Sequence, residues 1–146
     1  CTPGPDLDLA LRRFDTIPDP GTSIAEVLLD QRVAAGVGNV YKSEILHRWR
    51  VDPFVAASEV PAPVRRQLLE TANRLLLLNL TTTRRTTVSG PPGSVAAYGR
   101  ARRPCPRCGT PIRMARHGSL NRSTYWCPNC QPPGATGQVV RADAAE

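Results

Sequence analysis

The sequence Cys105-Pro-Arg-Cys108, followed after eighteen intervening residues by Cys127-Pro-Asn-Cys130, decides the fold of the C-terminal part of this chain. Two Cys-x-x-Cys pairs at this separation can place four thiolates around one tetrahedral Zn²⁺ ion, with no open coordination position. The alternatives are two disulfides, which would imply secretion, and a redox Cys-x-x-Cys, which would not need a second matching pair. We therefore predict one structural Zn²⁺ ion on these four cysteines and a free thiol at Cys1.

The segment between the two cysteine pairs is too polar to fold without a metal. Its large apolar side chains are only Ile112, Met114, Leu120, Tyr125 and Trp126. Zinc binding supplies on the order of 10 kcal/mol in zinc-finger peptides, which can replace the missing core. The pattern predicts a β-hairpin with arms at 111–115 and 123–126 and a basic tip at 116–122.

The rest of the chain predicts helices. Apolar periodicity and capping signals indicate four of them: Leu7 to Phe14, Ile24 to about Arg32, Val40 to Trp49 and Val64 to about Leu80. The second helix begins after a capping box in which Ser23 is followed three residues later by Glu26. The fold class is therefore mainly α, with a small β-hairpin zinc finger after the helices.

A turn with two glycines, Gly36-Val37-Gly38-Asn39, leads into the third helix. Backbone N–H groups and the helix dipole favour an anion at such a helix N-terminus, and glycines permit positive φ and close approach of a phosphate. Asn39 adds an amide donor. A tight interhelical turn capped by Asn39 explains the same residues equally well, so both interpretations stay open on this motif alone.

The charge distribution favours a polyanionic partner. The net charge is +7, and the stretch between Thr71 and Ala142 contains eleven arginines and no Asp or Glu. A merely solvated basic face usually carries interspersed acids, so nucleic acid is the preferred interpretation.

No apolar run reaches the ~18 residues that span a bilayer, and residues 1–14 do not resemble a signal peptide. We expect a cytoplasmic, nucleoid-associated bacterial protein with no membrane partner.

Two separate stretches resemble one known family. Residues 30–46, DQRVAAGVGNVYKSEIL, resemble the helix-two-turn-helix signature of the formamidopyrimidine-DNA glycosylase/endonuclease VIII family. Residues 98–100, 104–112 and 122–131, which read YGR, PCPRCGTPI and RSTYWCPNCQ, resemble the C-terminal zinc finger of that family. Two unrelated motifs in the right order make the resemblance specific, and it runs from about Gly4 to Gln131.

The resemblance implies which residues bind DNA. Asn39, with Gly38, would contact the phosphates that flank a lesion, and Arg122 would clamp the backbone and donate a proton in δ-elimination. Arginine suits this role because it is a bidentate phosphate ligand that stays protonated. Lys42 and Arg100 are further candidate phosphate contacts.

Three other polar residues are predicted not to take part in the chemistry. We expect Glu44 to be structural, through a hydrogen bond to a helix end or turn. His47 and His117 are expected at the surface, because four cysteines already complete a zinc site.

The resemblance also implies a mechanism that this chain does not complete. Family members excise a base through a Schiff base on the sugar and then cleave the strand by β,δ-elimination. Their N-terminal proline and glutamate, and a lysine on an N-terminal β-sandwich domain, have no counterpart here. We therefore expect binding of duplex DNA with oxidised bases or abasic sites, by a monomer, without excision. The rival hypothesis is a non-catalytic, zinc-containing nucleic-acid-binding protein.

The predicted organisation has four parts: an N-terminal segment at 1–20, a helix-two-turn-helix domain with its loop at 21–97, a zinc finger at 98–131 and a disordered tail at 132–146. The short loop between Thr81 and Ala97 resembles the endonuclease VIII branch, which favours oxidised pyrimidines, more than the purine-directed branch.

Overall fold

The computed structural model describes residues 7–16, 21–31, 33, 37–78, 95–117 and 122–137. Their elements are, in chain order, α1 (Leu7–Thr16), α2 (Ile24–Leu29), α3 (Asn39–Arg48), a 3-10 turn (Ala57–Glu59), α4 (Ala62–Leu78), β1 (Arg113–His117) and β2 (Arg122–Trp126). These helices followed by one hairpin confirm the predicted fold class for the described residues, although α2 ends at Leu29 rather than near Arg32. The predictions for Cys1, for Gly36, for residues 81–94 of the loop and for residues 118–121 of the hairpin tip fall outside the described residues.

The four helices, which we call the helical unit, share one apolar core. Phe14 of α1, Leu28 of α2, Ile45 of α3 and Leu68 of α4 are all at most 3% exposed, and α3 and α4 pack on each other. The predicted capping box starts α2, since Ser23 Oγ accepts a hydrogen bond from the Glu26 amide at 3.3 Å. None of the helices in the described part of the chain is long and apolar enough to cross a membrane.

Residues 95–117 and 122–131, which we call the finger, have a much smaller core. Strands β1 and β2 are antiparallel, with Arg113 opposite Trp126 and His117 opposite Arg122. Both strands differ from the predicted arms, because β1 lies two residues further along the chain and β2 already begins at Arg122. The buried core residues of the finger are Ala97, Cys105, Ile112, Cys127 and Cys130.

Residues 132–137 differ from the predicted disordered tail, because they pack back onto the helical unit. The Asp52 amide donates to the Ala135 carbonyl at 2.8 Å, and Asp52 Oδ2 accepts from the Gly134 amide at 2.9 Å. Gly137 has a φ of +93°, and a Cβ there would lie 2.8 Å from a Val51 methyl group. Glycine is therefore required by the close approach as well as by the backbone. Residues 138–146 lie outside the described residues.

Candidate nucleic-acid interface and metal centre

The four cysteines of the finger fit one tetrahedral metal ion. Their sulfurs all lie within 4.8 Å of one another, with Cys108 Sγ at 3.5 Å from Cys127 Sγ and 3.7 Å from Cys130 Sγ. Zn–S bonds of about 2.3 Å in a tetrahedron place sulfurs about 3.8 Å apart, whereas a disulfide needs about 2.05 Å. The predicted ligand set is thus brought together, and the disulfide alternative is excluded for these cysteines.

The surroundings of the four sulfurs also favour a bound cation. Burial raises the pKa of Cys127 to about 12, so that this thiol ionises only when a positive charge stabilises the thiolate. Hydrogen bonds from Thr110 lower the pKa of Cys108 to about 5. Backbone amides also reach the sulfurs, since Arg107 donates to Cys105 and Cys130 donates to Cys127, each at 3.4 Å. A bound Zn²⁺ would give the finger the internal attraction that its few apolar side chains do not supply.

Helix α3 is buried on two chemically different faces. Tyr41, Ile45 and Leu46 belong to the core of the helical unit. A second face is polar and equally buried, with its four residues between 0% and 4% exposed: Lys42, Ser43, Glu44 and His47. Each of these four has a hydrogen-bond partner in the finger. The interface between helical unit and finger is therefore a row of buried polar contacts.

Lys42 lies at the N-terminal end of this row. Its Nζ donates to Asn39 Oδ1 at 2.6 Å, to the Ser123 carbonyl at 3.1 Å and to Thr124 Oγ1 at 2.8 Å. Burial, and to a smaller extent the positive Arg122, lower the pKa of Lys42 to about 8. At 1% exposure, Lys42 would have to leave these partners in order to contact a phosphate directly.

Glu44 connects α3 to the beginning of the finger. Its carboxylate accepts from the amides of Ala96, Ala97 and Tyr98 at 2.6, 2.7 and 2.8 Å. Three charge-assisted hydrogen bonds satisfy a buried carboxylate and fix the backbone that donates them. The prediction that Glu44 is structural, through a turn, is confirmed.

The surface prediction for His47 is wrong, because the first cysteine pair covers the end of α3. His47 Nε2 lies 3.3 Å from Cys105 Sγ, and burial, with nearby arginines, lowers the pKa of His47 to about 3. A metal-bound thiolate only accepts hydrogen bonds, so Nε2 would carry the hydrogen. Arg107 adds hydrogen bonds to the carbonyls of His47 and Arg48 at the C-terminal end of α3.

His117 is also half-buried rather than at the surface. Its Nε2 lies 2.8 Å from Ser23 Oγ at the start of α2. Its ring packs edge-on against Phe54, with the centroids 4.7 Å apart. Because His117 is paired with Arg122 in the sheet, this contact holds the hairpin against α2 close to Arg122.

The structure brings Asn39 and Arg122 together. Asn39 is the first residue of α3 and Arg122 the first residue of β2. Lys42 Nζ bonds both Asn39 Oδ1 and the carbonyl of Ser123, the residue next to Arg122. Ser123 and Thr124, which complete this arrangement, were missed by sequence reasoning, because no local pattern marks a hydrogen bond between residues 81 or 82 positions apart.

The two remaining predicted phosphate contacts, Gly38 and Arg100, lie at opposite ends of α3. Gly38 precedes α3 with a φ of −107°, which any residue can adopt, so the expected positive φ does not occur there. A Cβ atom added at Gly38 would meet no other atom within 4 Å, so there is room for a ligand beside the backbone. Arg100 donates to the Pro104 carbonyl at 2.7 Å and acts on His47 electrostatically. Arg100 therefore lies towards the C-terminal end of α3, whereas Asn39 and Arg122 are at the other end.

Two family descriptions match this chain. Residues 13–89 match the formamidopyrimidine-DNA glycosylase H2TH domain, and residues 103–133 match the zinc finger found in FPG and IleRS. The class is thus a helix-two-turn-helix protein with a structural zinc finger, as its fold and cysteine site indicate. The chain belongs to the formamidopyrimidine-DNA glycosylase/endonuclease VIII family.

Similar proteins carry the names of both branches of this family. Probable endonuclease 8 2 of Streptomyces coelicolor is 42% identical over 142 residues, which cover 92% of this chain and 51% of the relative. The lyase Nei2 of Mycolicibacterium smegmatis, whose name specifies apurinic or apyrimidinic sites, is 39% identical and covers 88% of this chain and 50% of the relative. The crystal structure of the MutM (Fpg) protein of Thermus thermophilus has a TM-score of 0.70 at 31% identity, covering 89% of this chain and 51% of that one. The chain spans about half the length of these relatives.

Proposed function

We propose that this chain is the damaged-DNA-binding half of a bifunctional DNA glycosylase/AP lyase that acts on oxidised bases. It would hold the backbone of a duplex that contains an oxidised base or an abasic site. One observation carries the proposal: the Lys42 ammonium joins Asn39 to the strand that begins with Arg122. This contact supports the proposal that the two candidate phosphate ligands act on the same stretch of backbone.

The electrostatics at this point suit a phosphate. Helix α3 begins after Gly38, which has no side chain to cap it, and no acid lies in its first turn. The N–H groups of a first helical turn lack partners within the helix, and the dipole adds positive potential there. Lys42 and Arg122 contribute two more positive charges, while the three acceptors around Lys42 are neutral. A phosphate would supply the missing negative charge.

Arg122 is the group we assign to both backbone clamping and proton donation. It is exposed at the start of β2. Lys42 bonds to this strand at Ser123, and the paired residue of β1, His117, contacts Ser23. An exposed guanidinium on a rigid strand can bind one phosphate through two parallel hydrogen bonds. Its role as proton donor in δ-elimination is carried over from the family resemblance.

Binding of the 146-residue chain to an abasic-site duplex tests this assignment. We expect Asn39→Ala and Arg122→Ala each to weaken binding about fivefold to tenfold, as the loss of a charge-assisted hydrogen bond implies. Fluorescence anisotropy at fixed salt measures the affinity, and zinc content shows whether the finger remains folded. The control is Arg74→Ala, which removes an exposed arginine from α4 and should change affinity less than twofold. Unchanged affinity in both interface variants would remove the assignment.

The catalytic part of the proposal needs a different experiment. We expect the 146 residues alone to bind without excising, and we assign excision to a protein that also carries the family's terminal proline. Borohydride trapping with the product of the complete reading frame should yield a covalent Schiff-base adduct with abasic DNA. Absence of an adduct, with DNA binding retained, would favour a non-catalytic nucleic-acid-binding protein.

We further propose that the lesion class is that of the endonuclease VIII branch, oxidised pyrimidines. The short loop at 81–97 and the name of the 42% identical relative support this choice. The complete protein should excise an oxidised pyrimidine faster than 8-oxoguanine in otherwise identical duplexes. The reverse order of rates would assign it to the purine-directed branch.

A further inference from the structure

Lys42 is an unusual residue to find at this interface. It is 1% exposed, and a buried ammonium is costly unless each of its three N–H donors has an acceptor. Here all three do. The acceptors come from separate parts of the molecule: the Asn39 side chain, the Ser123 main chain and the Thr124 hydroxyl.

Building on the function proposed above, we propose that Lys42 is a positioning residue that fixes Asn39 and Arg122 relative to each other, rather than a phosphate ligand. Two of its hydrogen bonds end on β2 directly after Arg122, and the third ends on the first turn of α3. Its burial leaves almost no surface for a phosphate oxygen.

The contact with Asn39 also decides which end of that amide faces a ligand. A phosphate oxygen accepts hydrogen bonds, so Asn39 must present its Nδ2 donors to it. Because Lys42 only donates, it selects the orientation in which Asn39 Oδ1 points inward. Nδ2 is then directed away from Lys42. Lys42 thus preorganises the Asn39 amide for binding an anion, which lowers the conformational entropy lost on binding.

A double-mutant cycle distinguishes positioning from direct contact. We expect Lys42→Met to weaken abasic-duplex binding about fivefold in the parent chain, but less than twofold when Asn39 and Arg122 are already alanine. A residue that acts through these two has little left to lose once they are gone. If Lys42→Met costs the same factor in both backgrounds, Lys42 acts on DNA through its own charge or contact and the inference is wrong.

Thr124→Val provides a second test that does not depend on Lys42→Met folding. Thr124 is fully buried, and valine keeps its shape and all charges while removing one acceptor of Lys42. We expect binding to weaken about threefold at unchanged zinc content, and Lys42→Arg to retain more affinity than Lys42→Met. A directly binding Lys42 would predict unchanged affinity for Thr124→Val, and that result would overturn the inference.

The outcomes also separate this inference from the function on which it rests. If Asn39→Ala and Arg122→Ala leave affinity unchanged, the proposed function fails. If both weaken binding but Lys42→Met shows no coupling to them, only the positioning role fails.

Discussion

The helical unit and the finger are stabilised by different kinds of chemistry. The helical unit has a continuous apolar core to which all four helices contribute, from Phe14 in α1 to Leu75 in α4. The apolar cluster of the finger contains five buried residues, three of which are cysteines. Burial of hydrocarbon can stabilise the first unit, whereas the second depends on its metal.

The difference matters because the two units meet through polar groups. An apolar interface tolerates small shifts, whereas a hydrogen bond weakens steeply with distance and angle. Lys42, Glu44 and His47 are buried and bonded to the finger. Any change in the finger therefore reaches α3, which carries Asn39. The contact between the units therefore sets the position of the two proposed phosphate ligands, Asn39 and Arg122.

Zinc removal should have the largest effect and should show how far the two units are independent. Chelation, or Cys108→Ser, should unfold the finger, because metal binding of order 10 kcal/mol stabilises such modules. Helices α1 and α4 should keep their apolar packing. We expect α3 to lose amide hydrogen-exchange protection, because its polar face loses its partners. Full retention of protection in α3 would mean that the contacts between the units contribute little.

Loss of the Glu44 charge should have the next largest effect. In Glu44→Gln, an amide NH₂ group would face at least one of the three backbone N–H donors at residues 96–98, so that this hydrogen bond would be lost. We expect the free energy of unfolding to fall by about 2–3 kcal/mol in urea denaturation of the zinc-loaded chain. Glu70→Gln is the matched control, since this exposed pair with Arg66 should contribute less than about 1 kcal/mol. Equal losses in the two variants would contradict the importance of this contact.

A rise in pH should have a smaller effect, and it should increase the free energy of unfolding while it lowers the affinity for DNA. Lys42 has a pKa of about 8 in the folded chain against an ordinary value of 10.5. Above pH 8 the folded chain has released a proton that the unfolded chain still holds, so stability should rise with pH, by about 1 kcal/mol at pH 9. Over the same range DNA affinity should fall, because a neutral amine has only two N–H donors for three acceptors.

Lys42→Met is the control for the pH experiment. Urea denaturation at pH 7 and pH 9 should show no rise in its stability, since the titrating group is absent. A rise equal to that of the parent chain would assign the pH dependence to another group.

Local sequence patterns predicted much of the fold. The helices follow from apolar periodicity, and the capping box marks the start of α2. Prediction was weakest at the boundaries and at residues 132–137, whose Gly- and Pro-rich composition is typical both of disordered tails and of turns that pack on a core. The contact with Asp52 that distinguishes the two lies 82 positions away in the sequence.

For the site, the sequence by itself determined the chemical inventory: four cysteines at metal-binding spacing, an amide at a helix start and an arginine on a hairpin. Local spacing is sufficient for this, because each motif lies within one short stretch of sequence, the longest of which runs from Cys105 to Cys130. Only the tertiary structure decided that Lys42 and His47 are buried, and that Asn39 and Arg122 are neighbours. These facts depend on contacts between residues 58 to 82 positions apart, and such contacts exist only once the finger has packed on α3.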